Sequence, residues 1–341
     1  MDRTCVILNP GARTGGDREA LERLRPLIEG WEVRLSERPG HARELARSAA
    51  ADGFTTVIAA GGDGTINEVV NGLASAPAGG GGPRLGVLPL GTGNDLARLL
   101  GLPPEPEEAV SILRRGACRR LDLGEMRSGG ERRFFLNVAA GGFAGEVDRA
   151  LTPEIKRAWG PLAYLRAATT ALSEIDTYRV HARFEGVDGA RRSGGAETLE
   201  IDALNVVVAN GRFAGGGLPI APWARPDDGL LDVVVIPTMS LAGLVALAPL
   251  VLTGRHLGGE VDGPADGGED DVRRLPICLR CRGVELESDP PMPWNTDGEL
   301  IGERTPSFRV LAGALRVLVG EQPLWEREPD VAACAARAPP P

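Results

Sequence analysis

Short apolar runs alternate with helix-like stretches along the first hundred residues. Between Arg18 and Glu29, leucines 21, 24 and 27 and Ile28 recur at the spacing of one helix face. Such alternation of strand and helix is typical of a parallel sheet that helices cover on both faces. It predicts strands at Val6–Leu8, Trp31–Leu35, Thr55–Ala60 and Leu85–Leu88, and helices at Arg18–Glu29, His41–Ala51, Thr65–Leu73 and Asp95–Leu100.

The pattern changes near residue 134, where strand-like runs separated by glycine-rich turns take over. The runs are Phe135–Val138, Leu204–Ala209, Leu231–Ile236 and Arg309–Val319, with helices expected at Gly160–Glu174 and Leu241–Thr253 and an exposed loop at Gly258–Asp271. We therefore predict an α/β domain over residues 1–133 and a mainly antiparallel β-sandwich over 134–322. A disordered tail is expected over 323–341, because the stretch from Val331 has few side chains to bury.

Composition excludes several classes of protein. The 341 residues are 43% hydrophobic and 25% charged, enough for two ordinary cores, and the net charge of -9 gives no general attraction to nucleic acid. Lys156 is the sole lysine and lies far from any glycine-rich loop, so a Walker-type phosphate loop is absent. The three histidines are scattered, which disfavours histidine-rich metal sites.

Cysteine usage and hydropathy bear on the compartment. Five cysteines in a large chain without a signal sequence fit the reducing cytoplasm, and Cys278 and Cys281 read as ordinary thiols. The longest apolar run, Leu241–Leu252, is too short for a transmembrane segment. Any membrane contact is therefore expected to be peripheral, and the arginine-rich stretch from Arg114 to Arg133 is either a solvated face or a surface for anionic lipid.

The most informative local feature is a strand-loop-helix segment whose motif is Gly61-Gly62-Asp63-Gly64-Thr65-Ile66-Asn67-Glu68. Glycines let backbone N–H groups approach an oxyanion, and the following helix adds the positive end of its dipole. An acid would repel a bare phosphate, so Asp63 makes sense if it holds Mg²⁺ or acts on a substrate hydroxyl. The alternative interpretation is a tight strand-to-helix turn with no ligand.

A second loop repeats the arrangement at Gly91-Thr92-Gly93-Asn94-Asp95. Loops at the carboxyl ends of neighbouring parallel strands face one crevice, where open α/β sheets bind ligands. A third acid, Asp122, opens the crossover into the second domain. Three acids and two glycine-rich loops indicate a site for a magnesium nucleotide.

With these features the sequence resembles the soluble diacylglycerol kinase and sphingosine kinase superfamily over about residues 4 to 320, its bacterial lipid kinases above all. The motifs that carry the resemblance are Asn9-Pro10, the two glycine loops, Asn210-Gly211 with Gly215-Gly216-Gly217, Pro226-Asp227-Asp228-Gly229-Leu230 and Asp297-Gly298-Glu299.

The resemblance implies roles for individual residues. It assigns the nucleotide to Asn9, Pro10, Gly11, Ser36, Gly61, Gly62, Asp63, Gly64, Thr65, Ile66, Asn67, Gly91, Thr92, Gly93 and Asn94. It implies that Asp63, Asp95 and Asp122 form one network around catalytic Mg²⁺.

In the second domain, the resemblance implies a structural Mg²⁺ held by Asp228 and by main-chain oxygens of Arg225 and Leu230. It also implies catalytic roles for Asp297 and Glu299, with Glu299 as the general base. A carboxylate in reach of a lipid hydroxyl accepts its proton as the P–O bond forms, while Mg²⁺ and backbone donors stabilise the spreading charge.

The expected function is an ATP- and Mg²⁺-dependent lipid kinase of phospholipid metabolism, acting on a lipid hydroxyl at a membrane surface. Diacylglycerol is the first candidate acceptor, and sphingoid bases, other glycerolipids and isoprenoid alcohols stay open, as does a homodimer. One rival is an NAD kinase-like phosphotransferase, which also uses a Gly-Gly-Asp-Gly loop. Another is a nucleotide- or lipid-binding regulator without turnover.

Overall fold

The structure is a computed structural model of the chain. It describes residues 3–11, 18–75, 82–142, 176–188, 198–257, 276–297, 299–303 and 305–327. The helix predicted at 160–174, the loop predicted at 258–271 and the stretch from Val331 lie outside these residues.

The first domain is the predicted parallel sheet. Strands β1 to β4 run parallel in the order β2-β1-β3-β4. Their bounds are β1 Thr4–Leu8, β2 Glu32–Leu35, β3 Thr56–Gly61 and β4 Arg84–Pro89. The helices of this part are α1 Arg18–Leu27, α2 His41–Ala51, α3 Asp63–Ala74, α4 Asp95–Leu99 and α5 Pro106–Arg115.

Alternate residues of the central strands enter two different cores. In β1, Ile7 packs with α2 and α3 through Ala46 and Val69, whereas Val6 packs on the other face with Leu24 of α1 and Leu113 of α5. Side chains alternate across a strand, so a strand that is apolar at every position needs cover on both faces. The expectation of helices on both faces is confirmed.

The second domain is mostly antiparallel. The path β14-β13-β7-β9-β8-β12-β15 continues the sheet of the first domain through β4, and β10 pairs with β9 and β11. The strands are β5 Cys118–Ser128, β6 Glu131–Phe135, β7 Val138–Gly142, β8 Tyr178–Glu185, β9 Thr198–Ala209, β10 Leu231–Pro237, β11 Ile277–Cys281, β12 Gly283–Asp289, β13 Pro293–Thr296, β14 Glu299–Glu303 and β15 Pro306–Leu318, with helix α6 at Leu241–Leu252. In β9, Val206 and Val208 face one core while Val207 and Ala209 face another, as in a sandwich.

Strand β15 joins the two domains. Its first half pairs with β5 and β12 in the second domain, and its last residues pair with the start of β5 and, at Val317, with Leu85 of β4. The register shifts between Leu311 and Leu315, where Gly313 has φ of +57°. This bulge lets one strand serve both domains, so the chain returns to the first domain after the predicted boundary at 133/134.

Two expectations need correction. The predicted strand Phe135–Val138 is broken, because Leu136 and Val138 donate their N–H groups to the Asp297 carboxylate, which separates β6 from β7. The predicted tail begins too early. Residues 324–326 form a 3-10 helix. Trp325 is 1% exposed, because its indole packs in the core that contains Ile7, Ala46 and Val69.

Candidate active site

The carboxyl ends of four parallel strands gather the loops that the sequence singles out. After β1, the Asn9 amide donates to the Thr65 hydroxyl at 2.9 Å, and its oxygen accepts from Gly11 N. After β2, the N–H of Ser36 donates to Leu8 O at 2.8 Å, which places Ser36 beside the end of β1. After β4, Leu90 N donates to Gly61 O, so all four loops meet at one edge of the sheet.

Glycine lets the two phosphate-type loops touch. A Cβ at Gly61 would lie 2.6 Å from Thr65, and a Cβ at Gly91 would lie 2.5 Å from the Cα of Gly62. Gly64 has open space around it and is exposed. Helix α3 begins at Asp63 without a side-chain cap on its first turn. The uncapped N–H groups and the helix dipole suit a phosphate.

Asp63 and Asp95, here called the cleft acids, lie at the first residues of α3 and α4. Burial raises the pKa of Asp63, whose Oδ1 accepts from Leu96 N at 3.5 Å. Burial and the nearby Asp63 charge raise the pKa of Asp95 to about 6. Asp95 is 6% exposed, and its Oδ1 has no hydrogen-bond partner among the described residues. Such a group needs a cation or a proton.

The second domain contributes a glycine-rich loop to the same place. Gly216 N donates to Asp95 Oδ2 at 2.9 Å, and Gly216 has φ of +91°. A Cβ at Gly93 would lie 2.8 Å from Asp63 Oδ2 and 3.6 Å from Gly216 Cα. The loop therefore forms the opposite wall of a cleft between the domains.

Asp297 lies between β13 and β14 with φ of +45°. Its carboxylate accepts from Val138 N at 2.8 Å and Leu136 N at 3.2 Å. Burial, with a further contribution from the Asp63 charge, raises the pKa of Asp297 to about 7. Asp297 thus shapes the loop that leads to Glu299, the first residue of β14; the side chain of Glu299 lies outside the described residues.

Two asparagines of α3 tie this loop to the first domain. Asn67 Nδ2 donates to Thr296 O at 3.3 Å, and Asn71 Nδ2 donates to Asn67 Oδ1 at 2.7 Å. Asn71 also exchanges hydrogen bonds with both backbone groups of Phe134. Asn71 was not predicted as a site residue. Its position four residues after Asn67, on the same helix face, would have indicated that the two side chains meet.

Asp122 does not join the cleft acids as expected. Its carboxylate accepts from Gly229 N and Gly313 N, both at 2.7 Å, and its own N–H donates to Pro226 O. The residue is 2% exposed. These partners belong to the turn before β10 and the bulge of β15, because the extended β5 carries Asp122 away to the domain junction. Asp122 and Asp228 are here called the junction acids.

Asp228 is neutralised within the chain. Its Oδ1 accepts from Leu230 N at 3.1 Å, and its Oδ2 pairs with Arg280 Nη2. The same guanidinium pairs with Asp188 at 3.1 Å and approaches Asp232 at 3.8 Å. Arg280 is thus the cation of this cluster.

Several residues expected at the nucleotide have other partners. The Ile66 side chain packs in the core that contains Ile7 and Val69, and the Ile66 N–H donates to Gly62 O. Neither group is available to a ligand. The Asn94 amide bonds both backbone groups of Gly91 and holds its own loop. Thr92 and Pro10 are exposed at the cleft edge. Glu68, the last residue of the motif, accepts from Gly40 N and Ala42 N and so caps α2.

The two expected magnesium sites differ in fit. The orphaned buried oxygen of Asp95, beside Asp63, suits a hard cation, so the cleft acids fit Mg²⁺. The Asp228 site does not fit, because Arg280 holds the carboxylate that would be the ligand. Among the described residues no group of three or more metal-binding side chains is assembled.

Two family models match consecutive parts of the chain. Residues 3–126 match the diacylglycerol kinase catalytic domain, and residues 137–319 match the YegS C-terminal NAD kinase beta sandwich-like domain. The chain is thus built as a two-domain lipid kinase, with the cleft acids between its domains.

Two curated relatives share one name. A Pseudomonas aeruginosa protein named "Probable lipid kinase YegS-like" is 35% identical over 333 residues, covering 96% of this chain and 99% of the relative. A Xanthomonas euvesicatoria pv. vesicatoria protein of the same name is 34% identical, covering 94% and 97%. The chain belongs to the YegS-like lipid kinase family.

Solved structures agree on the fold. A chain from Bacillus anthracis str. Sterne has a TM-score of 0.73 at 23% identity and covers 94% of this chain and 96% of its own. A diacylglycerol kinase structure from the same organism gives 0.65 at 22% identity, covering 94% and 97%. In the described part of this chain no helix has the length and apolarity needed to cross a bilayer.

Proposed function

We propose that this lipid kinase transfers the γ-phosphoryl group of ATP to a hydroxyl of a membrane lipid, with diacylglycerol as the first candidate acceptor. The observation that carries the proposal is the pair of cleft acids at the mouths of two glycine-rich loops, where one buried Asp95 oxygen has no hydrogen-bond partner within the described ranges. Membership of a lipid kinase family supports the acceptor class.

The chain's own residues would divide the work. The loops Gly61–Thr65 and Gly91–Asp95 offer backbone N–H groups and room for the phosphates. The cleft acids would hold Mg²⁺, which when bound neutralises phosphate charge. The charge of Asp63 is close enough to Asp297 to raise the pKa of Asp297. Asp63 would therefore lie between the phosphoryl group and the acceptor.

Proton transfer is assigned to the loop that Asp297 shapes. Its carboxylate is occupied by two backbone donors, which supports a positioning role for Asp297 and leaves Glu299, two residues on, as the base. The lipid approaches from a membrane surface through peripheral contact.

The test is ATP consumption on added lipid. We expect turnover with diacylglycerol, or with one member of a panel that adds a sphingoid base and an isoprenoid alcohol, all in mixed micelles. Turnover on NAD⁺ alone would instead support an NAD kinase-like enzyme. Nucleotide binding without turnover on any acceptor would support a regulator.

Glu299→Gln separates binding from chemistry. The variant should keep nucleotide affinity, measured by calorimetry, yet lose about 100-fold or more in kcat, because the base acts mainly in the transition state. Glu303→Gln, at the other end of β14, is the matched control. An unchanged kcat in Glu299→Gln would reassign the base to Asp63.

A further inference from the structure

Arg98 places its guanidinium group beside the cleft. The residue lies on α4, one turn after Asp95, and is partly exposed. Its Nε is buried and has no hydrogen-bond acceptor in the part of the chain that the structure describes. The positive charge of Arg98 also acts on Asp95, whose pKa it lowers against the effect of burial.

A second arginine near the domain junction shows what a structural arginine looks like in this chain. Arg212 is 6% exposed, and its donors bond Ala224 O at 3.1 Å, Leu324 O at 2.9 Å and Trp325 O at 3.1 Å. Buried donors are normally paired in this way. Among the described residues the buried Nε of Arg98 has no such acceptor, so it is available to a ligand in the cleft.

The surroundings of Arg98 belong to the cleft. A Cβ at Gly217, which has φ of +107°, would lie 3.4 Å from the Cζ, Nε and Nη2 atoms of Arg98. The neighbouring Gly216 donates to Asp95 and approaches Gly93, whose own surroundings include Asp63. Arg98 thus stands on the wall that carries the cleft acids, under the glycine loop of the second domain.

Charge gives this position a chemical meaning. Phosphoryl transfer spreads negative charge over three equatorial oxygens, and two carboxylates alone would oppose it. Neither glycine loop carries a cationic side chain, and the single lysine of the chain, Lys156, lies outside the described residues. A planar guanidinium presents donors that match the oxygens of a phosphoryl group.

We propose that Arg98 is a catalytic residue that binds the phosphoryl group during transfer. This inference rests on the proposed function. The acceptor oxygen forms a bond to the γ-phosphorus, the bond to the β–γ bridging oxygen breaks with its electron pair leaving on ADP, and the hydroxyl proton passes to the carboxylate base. Arg98 donates hydrogen bonds to non-bridging oxygens throughout and changes no bond of its own.

The experiment compares Arg98→Met, Arg98→Lys and Arg98→Ala with Arg115→Met, which controls for loss of charge. Arg115 is the last residue of α5 and pairs with Glu321. Removing one donor to the transition state should lower kcat about 100-fold in Arg98→Met, with Arg115→Met unchanged. ATP should bind more weakly to Arg98→Met while ADP, which lacks the γ-phosphoryl group, binds as in the wild type.

Chemical rescue distinguishes catalysis from support of the fold. Millimolar guanidinium ion should restore part of the kcat of Arg98→Ala, and an equal concentration of sodium ion should not. Arg98→Lys, which keeps the charge, should retain more activity than Arg98→Met and gives a second variant if Arg98→Ala does not fold.

Two results would overturn the inference: kcat of Arg98→Met within about threefold of wild type, or equal weakening of ATP and ADP binding. If the wild type phosphorylates no lipid, the proposed function fails, and the ATP-versus-ADP comparison still tests Arg98 by calorimetry alone.

Discussion

The cleft acids and the junction acids have the same side chain and opposite surroundings. Asp95 is buried, and one of its oxygens has no hydrogen-bond partner in the described part of the chain; burial and, next, the charge of Asp63 raise the pKa of Asp95 to about 6. Asp122 is as deeply buried, yet each of its oxygens accepts from a backbone N–H at 2.7 Å. Asp228 has Arg280.

The difference separates chemistry from structure. A carboxylate whose acceptors are all filled stabilises the fold and has little left to offer a ligand. A buried carboxylate without partners costs stability, and such groups concentrate at functional sites. We therefore expect changes at the cleft acids to affect turnover more than folding, and changes at the junction acids to do the reverse.

The sharpest test of this comparison is Asp63→Asn. The change keeps the size of the side chain and removes its charge, so kcat should fall about 100-fold or more while the melting temperature without metal is maintained. Initial rates and thermal melts measure both. Asp52→Asn, an exposed acid of the same domain, is the control; activity of Asp63→Asn within about threefold of wild type would contradict the assignment.

Asp122→Ala should show the opposite profile. The N–H groups of Gly229 and Gly313 lose their acceptor at the domain junction, which should lower the free energy of unfolding by about 3 kcal/mol. Urea denaturation measures the loss, with Asp202→Ala, an exposed acid, as the control. A change below about 1 kcal/mol would show that water replaces the carboxylate.

Arg280→Met tests whether an arginine takes the place of a metal ion. The partly exposed Asp188 and Asp228 and the buried Asp232 would lose a counter-charge, which should destabilise the fold by about 2 kcal/mol. Added Mg²⁺ should then raise the melting temperature more in Arg280→Met than in the wild type. Equal Mg²⁺ responses would contradict this role of Arg280.

The last prediction concerns the dependence of stability on pH. The pKa values of Asp95 and Asp297 rise from the ordinary 3.8 to about 6 and about 7, so the folded protein binds more protons than the unfolded chain between these limits. Stability is therefore highest at the acidic end of this window and falls as pH rises through the two folded-state pKa values.

Thermal melts from pH 4 to 8 without divalent metal follow this change. Asp95→Asn, which cannot ionise, should flatten the pH profile and raise the stability near pH 8. A profile in Asp95→Asn as steep as that of the wild type would remove Asp95 as its source.

Local sequence was a good guide to the first domain. Helix α2 has the predicted bounds, and the other predicted strands and helices of the parallel sheet differ from the observed ones by one or two residues at most ends, whereas α5 was not predicted. Apolar periodicity is a property of neighbouring residues, so it can be read without knowing the tertiary contacts. Glycine loops after strands likewise carry their backbone requirements within a few residues.

Contacts between residues distant in sequence could not be predicted from local patterns. Glu68 stands in the same motif as Asp63, but it caps α2, whose first residues lie 28 and 26 positions earlier. Asn71 meets Phe134 across 63 positions, and the tail residue Trp325 fills the first core.

The two classes of domain, the glycine loops and the acidic residues could be predicted from composition and short-range order. The hydrogen-bond partners of each acid depend instead on tertiary contacts. Asp122 is satisfied by Gly229 and Gly313, 107 and 191 positions away, whereas one oxygen of Asp95 has no hydrogen-bond partner among the residues that the structure describes. A carboxylate's pKa and free hydrogen-bonding capacity depend on burial and on the groups that folding brings to it, so identical residues acquire different roles.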